Sequence, residues 1–324
     1  MTLLNYATHT SVAGAKDLLS KLRTFATTYG WVSEDYQVSK AWTAIGGGNY
    51  GWTAGDQDFL DLSSTGYGTQ VLRMRFLVDP YDATDDTLYN CPINPTNVVV
   101  STTSATSPHL QQNQQTTNWH RTSLPKGTIP QVWFFGNAHF ILVVAQVSAT
   151  AVVTLAFGLP ELDSGMQDES LMFHWPGHYM ADETATYSWQ NLSTYYTQWW
   201  NCMGWVGGTV GAGTVVWWGA AIRSSEHYKT NMRILTTAVA GEFNQLDDVL
   251  SLNGFSSKRT MVRPTVFLKD TATGVWYPAG TMAMYYTIFS GLTIGQTLTY
   301  GAEQYLVFPT LLNSYTYGMA VRIL

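Results

Sequence analysis

Charge is what this chain has least of. Only 12 % of its 324 residues are Asp, Glu, Lys or Arg, about half the share usual in globular proteins. The 16 Lys and Arg form no basic run and are outnumbered by 22 Asp and Glu, leaving a net charge of −6. Neutralising nucleic-acid phosphates takes clustered cations, so no nucleic-acid partner is expected. Cysteine is almost absent. Cys91 and Cys202 lie far apart and form no C-x-x-C, which removes a redox or zinc motif. Two isolated cysteines are more often free and buried than paired. No apolar run reaches the roughly 20 residues that span a bilayer. The longest, Phe140 to Phe157, is broken by Gln146, Ser148 and Thr150. The first residues lack the basic start and apolar centre of a signal peptide. The expectation is a protein folded in a cytoplasm, with no export signal and no membrane-spanning segment.

Aromatic residues fill part of the gap. They make up 14 % of the chain, with 13 Trp and 19 Tyr, and Thr, Ser, Asn and Gln stand where charges would. Protein interfaces deplete Lys and Glu and enrich Tyr, Trp and Met. The composition favours a subunit that works in contact with neighbours over a freely diffusing enzyme. The length allows one large or two ordinary domains with real cores.

One helix stands out. Leu18, Leu19, Leu22, Phe25, Ala26 and Tyr29 fall on one face at helical spacing, with Ser11 or Thr10 as a cap and Gly30 as the stop. A shorter helix is expected over Leu246–Leu252. The rest reads as strand and loop. Strands are expected at Asp58–Ser63 and Thr69–Phe76. A long hairpin is expected from Gln131–Val147 and Thr150–Phe157, turning at Ser148-Ala149. A second hairpin pairs Val262–Lys269 with Val275–Tyr277. At the C-terminal end, two strands joined by a polar loop are expected, the last over Thr316–Leu324, with Tyr317, Met319, Val321 and Ile323 on one face. Residues 79–126 read as a long polar loop, a partner-packing arm or disordered excursion. The fold class expected is mainly β with a minor α contribution. Residues 1–162 form an N-terminal helix-plus-antiparallel-sheet unit, and residues 163–324 a mainly β, sandwich-like unit, divided near Leu159–Gly165.

No reaction chemistry is legible. His174, His178 and Asp182 have four-residue spacing, but Trp175-Pro176-Gly177 breaks the helix that would align them on a metal. A polar turn is the favoured reading. Gly46-Gly47-Gly48-Asn49-Tyr50-Gly51 fits G-x-G-x-x-G formally, yet no helix start follows it, so a glycine-rich turn is favoured. Acidic pairs occur at Asp85-Asp86, Glu161/Asp163, Asp168-Glu169, Asp182-Glu183 and Asp247-Asp248. A cell-wall hydrolase would need two such carboxylates across a sugar ring, and nothing in the sequence opposes any two of them. No G-x-S-x-G, P-loop or H-E-x-x-H is present. The expectation is no enzyme activity, no catalytic residue, no metal and no cofactor. The best binding candidates are the aromatics Trp189, Tyr195, Tyr196, Trp199, Trp200, Trp205, Trp217 and Trp218. They suit a core or protomer interface, or sugar stacking.

Four blocks in order carry a family resemblance. They are Gly55–Leu62 with Gly66-Tyr67-Gly68-Thr69 and the strand after it; Pro130–Val147 followed by Leu155–Pro160; Gly241-Glu242-Phe243 through Leu252-Asn253-Gly254-Phe255; and the closing Ile294-Gly295-Gln296 with Tyr300–Pro309 and Tyr317–Leu324. Together they resemble the virion structural proteins of tailed bacteriophages. The resemblance implies a non-enzymatic tail or baseplate component, assembled in the bacterial host cytoplasm and located in the virion tail. Its partners would be other tail and baseplate proteins and further copies of itself, in a ring around or beside the tail tube. It brings no catalytic residues. Residues 79–126 and 170–230 depart from the pattern. The alternative expectation is a receptor- or glycan-binding module at the tail tip.

Overall fold

The structure, a computed structural model, describes residues 3–42, 55–65, 71–80, 85–92, 120–125, 127–149, 152–158, 161–162, 173–175, 202–204, 216–218, 230–234, 261–263, 265–269, 276–281, 283–309 and 317–324. The fold is mainly β, with one helix among the described residues. Three sheets form. The largest has eleven strands and begins with β1 (Asn5–Ala13), β7 (Thr128–Gly136), β8 (Phe140–Gln146) and β9 (Val152–Gly158). It continues through β11 (Phe173–Trp175), β12 (Cys202–Gly204), β13 (Val216–Trp218), β14 (Thr230–Ile234), β16 (Thr265–Lys269) and β17 (Trp276–Thr281) to β10 (Glu161–Leu162). Its pairings are antiparallel except β13 with β14. A five-stranded N-terminal sheet runs β2 (Val32–Trp42), β3 (Gly55–Thr65), β4 (Val71–Pro80), β5 (Asp85–Pro92) and β6 (His120–Pro125). A five-stranded C-terminal sheet runs β15 (Met261–Val262), β18 (Tyr285–Ile288), β21 (Tyr317–Arg322), β20 (Glu303–Pro309) and β19 (Gln296–Tyr300).

The helix α1 (Gly14–Thr28) buries Leu18, Leu19, Leu22, Phe25 and Ala26 of the expected stripe, while Tyr29 follows as the C-cap, half-buried against the same core. Its start differs from expectation. Neither Ser11 nor Thr10 caps it; Ser11 belongs to β1 with φ 55°, and the N-cap Ala13 has no side-chain cap. Asp17 reaches back instead, its Oδ2 accepting from the Ala13 N–H at 2.9 Å while Oδ1 accepts from Lys21 Nζ at 2.5 Å. Gly30 ends the helix as expected. It adopts φ 98°, and the Trp31 N–H returns to the Ala26 carbonyl at 3.0 Å, the closure that a left-handed glycine permits.

Burial raises the Asp17 pKa, but the hydrogen bonds from Lys21 and Ala13 and the charges of Lys21 and His9 outweigh it, leaving a net lowering. A depressed carboxyl stabilises the fold above its unfolded pKa and loses that contribution as pH falls through the folded value. Asp17→Asn is expected to cost about 1 kcal/mol at neutral pH. It should also flatten the acid limb of a urea-denaturation stability profile.

Strands β7, β8 and β9 read as apolar runs, without alternation, because both faces of the large sheet are covered at these three strands. On one face lie Phe134, Phe157 and the helix: Phe25 stacks on Phe134 at 5.5 Å, and Trp31 meets Phe157 edge-on at 5.2 Å. The N-terminal sheet joins there through Phe76, 5.1 Å from Phe157. On the other face lie Trp133 and Phe135, which meet Phe308 of the C-terminal sheet at 5.0 and 5.8 Å. One continuous core therefore includes residues of all three sheets.

The expected long strand Gln131–Val147 is two strands. It turns at Asn137, whose Oδ1 accepts from the backbone N–H groups of His139 and Phe140 at 2.8 and 2.9 Å. That side chain mimics a backbone turn. Trp31 Nε1 donates to the Asn137 carbonyl at 2.9 Å, tying the turn to the end of the helix. The polar stretch 79–126 is also not wholly a loop: it holds β5 and β6, paired antiparallel from Asp85↔Pro125 to Asn90↔His120. Strand pairing satisfies their backbone groups whatever the polarity of their side chains. The hairpin over 262–277 is present as β16 and β17, with Lys269 opposite Trp276. Val262, assigned to it by the sequence, pairs instead with Tyr286 on β18.

Candidate interaction surface

The eight aromatic candidates divide. Trp189, Tyr195, Tyr196, Trp199, Trp200 and Trp205 lie outside the described residues, as do the Gly46–Gly51 turn, His178, Asp182 and the expected helix 246–252. Trp217 and Trp218 occupy β13, between β12 and β14. His174 is on a strand, opposite Phe157 and Met203, not on a helix. Cys91 lies on β5 and Cys202 on β12, in different sheets. Glu161 pairs with Arg263. Among the described residues, no three of His, Cys, Asp and Glu gather to hold a metal ion. No described helix is long and apolar enough to cross a membrane.

The structure assembles a different aromatic group, on the C-terminal sheet. Register places Tyr285 opposite Ala320, Tyr305 opposite both Arg322 and Leu298, and Tyr300 opposite Glu303. Opposed residues share a face, so these seven residues lie together on the face turned away from the large sheet. Tyr305, Val307, Ala320 and Phe289 are buried there and form a small second core, flanked by half-buried Met261, Tyr285, Leu298 and Tyr300. Tyr305 meets Tyr285 at 5.4 Å and Tyr300 at 6.1 Å, both edge-on. Its hydroxyl donates to Glu303 Oε2 at 2.6 Å, and Arg322 Nη1 holds the other Glu303 oxygen at 2.8 Å. No sequence window reveals this group, because its members come from four strands. The sole local hint is that Tyr300 and Tyr305 bracket the Gly301-Ala302 turn.

Burial pushes the Tyr305 phenol well above its ordinary range, with donation to Glu303 and the Tyr285 and Glu303 charges adding to the rise. A raised pKa stabilises the fold below the unfolded value of about 10 and loses that contribution as pH climbs toward the folded one. Tyr305→Phe is expected to cost about 1 kcal/mol at neutral pH. It should also remove part of the alkaline loss of stability seen in denaturant titrations above about pH 10.

Two sheets end, among the described residues, in strands with one side unpaired. Among the described residues β1 pairs only with β7, and β19 only with β20. Tyr6 on β1 is 44 % exposed, and Gln296, Thr297 and Thr299 on β19 are exposed. Searches of protein-family models and of curated proteins find no match to this chain.

Proposed function

We propose that the chain is a non-enzymatic structural component of a tailed-phage virion, placed in the tail or baseplate and working through contacts with neighbouring subunits. The observation that carries the reading is the ordered set of sequence blocks resembling such proteins. Three of them fall on elements that build the fold: Gly55–Leu62 within β3, Pro130–Val147 on β7 and β8, and Tyr300–Pro309 with Tyr317–Leu324 on β20 and β21. The low charge and the sheet edges left open support a contact role. Copies would assemble in the bacterial host cytoplasm as a ring around or beside the tail tube. Immunogold labelling of purified virions tests the reading, with gold expected on the tail; particles free of label would reject it.

A second reading, a receptor- or glycan-binding module at the tail tip, draws on the aromatic residues between Tyr187 and Trp218. Trp199→Ala and Trp200→Ala should then abolish glycan-array binding in folded protein. Unchanged binding would remove these residues from any such site.

A further inference from the structure

Among the described residues, the flank of the molecule at β1 has an edge without a strand partner, and so has β19. Thr8 on β1 lies opposite Trp133 on β7. Trp133 in turn packs on Phe308 of β20, and a Cβ on Gly295, the residue before β19, would fall 2.6 Å from its ring. Trp133 therefore brings Thr8 of β1 and the start of β19 close together. Neither edge carries protection. β1 reads Asn-Tyr-Ala-Thr-His-Thr-Ser-Val-Ala and β19 reads Gln-Thr-Leu-Thr-Tyr. Neither has a charged side chain or a proline, the usual devices that keep an edge from pairing. β1 is also nine residues long and irregular only at Ser11.

An open edge offers backbone N–H and C=O groups, so its occupant is a β-strand. The sequence of β1 says which. A charged foreign strand would find no counter-charge along it. Paired antiparallel with itself about Thr8, the strand sets Thr8 opposite Thr8, Ala7 opposite His9 and Tyr6 opposite Thr10. Threonine pairs and aromatic–β-branched pairs are favourable across strands. His9 fits this neutral edge, since its pKa is lowered by burial and by Lys21, against a smaller raising effect of Asp17. β19 is self-complementary too: about Leu298, Thr297 meets Thr299 and Gln296 meets Tyr300.

We propose that this flank is a self-association surface, on which β1 adds antiparallel to β1 of a second copy and extends the eleven-stranded sheet across a two-fold axis. The contact is isologous. It is independent of the virion reading and is tested on the purified chain alone.

Analytical ultracentrifugation of the full chain across a dilution series, beside Thr8→Lys, decides it. Thr8 is exposed, and lysine there sets two like charges across the axis. The wild type is expected to dimerise, and Thr8→Lys to weaken the dimer at least about tenfold with an unchanged circular dichroism spectrum. Mixing Thr8→Lys with Thr8→Glu chains should restore it. A wild type that stays monomeric to roughly 100 µM, or a dimer indifferent to Thr8→Lys, overturns the proposal. If Thr8→Lys fails to fold, hydrogen exchange of the wild type decides instead. β1 amide protection that rises with protein concentration supports the contact, and protection independent of concentration overturns it.

Discussion

Deletion of residues Tyr317–Leu324 is expected to dismantle the C-terminal sheet. The lost strand, β21, lies at the centre of that sheet, pairing with β18 on one side and β20 on the other. It contributes Met319, Ala320 and Val321, each with 0 % exposure. Met319 and Val321 belong to the main core, and Ala320 to the second core on the opposite face. Burial of the Met and Val side chains alone is worth about 3–6 kcal/mol, on the order of a whole domain's stability of about 5–15 kcal/mol. The two neighbouring strands also lose their backbone partners. The truncated chain should show rapid proteolysis within residues 283–309 and no cooperative thermal transition for that sheet. A truncation that keeps the wild-type melting temperature would refute this account of β21.

Phe134→Ala carries the next largest expected effect. Phe134 is completely buried, stacked on Phe25 of the helix and edge-on to His9 at 5.6 Å. Nothing nearby can collapse into the space freely, because the ring sits between a helix and a sheet already covered on its other face. Replacing a core phenylalanine by alanine costs about 3–5 kcal/mol through lost transfer energy and the remaining cavity. Equilibrium denaturation should show that loss with an unchanged m-value. A cost below about 1 kcal/mol would mean that the helix does not rest on this residue. Phe308→Ala probes the opposite face of the same sheet in the same way.

The parts of the fold legible in sequence are those whose local pattern and tertiary role agree. The Leu18–Ala26 stripe is one, because helical spacing and burial coincide. Asp58–Ser63 and the strand ending in Tyr317–Arg322 are others. The missed parts share a physical reason. β1 and the charged β2 lie at sheet edges with one side unpaired among the described residues, and their sequences carry little of the alternation that burial imposes. The turn at Asn137 was hidden inside an apolar run, because burial on both faces makes strand, strand and turn read alike. The Gly136-Asn137 pair was the available signal. β5 and β6 are held by pairing, which polarity does not report. The Tyr285, Tyr300 and Tyr305 group depends on register between strands, information that no window contains. Of the aromatics of the sequence-based site, Trp217 and Trp218 lie on β13 and the others outside the described residues.

The pairing of β1 with β7 sets an order of events during synthesis. Asn5 Nδ2 donates to the Gly136 carbonyl across 131 residues of chain. At about 5–20 residues per second, β7 is made roughly 7–26 s after β1. The meander β7–β8–β9, with its short turns, closes fast once made, and β1 and the helix must then find it across the intervening strands β2 to β6. Until that moment the future edge has neither neighbour, and in a crowded ribosome array a nascent strand with no charge to repel its twin is open to premature pairing. Slower translation through the N-terminal sheet is therefore expected to lower the yield of folded chain, which expression from slowed and unslowed messages would check.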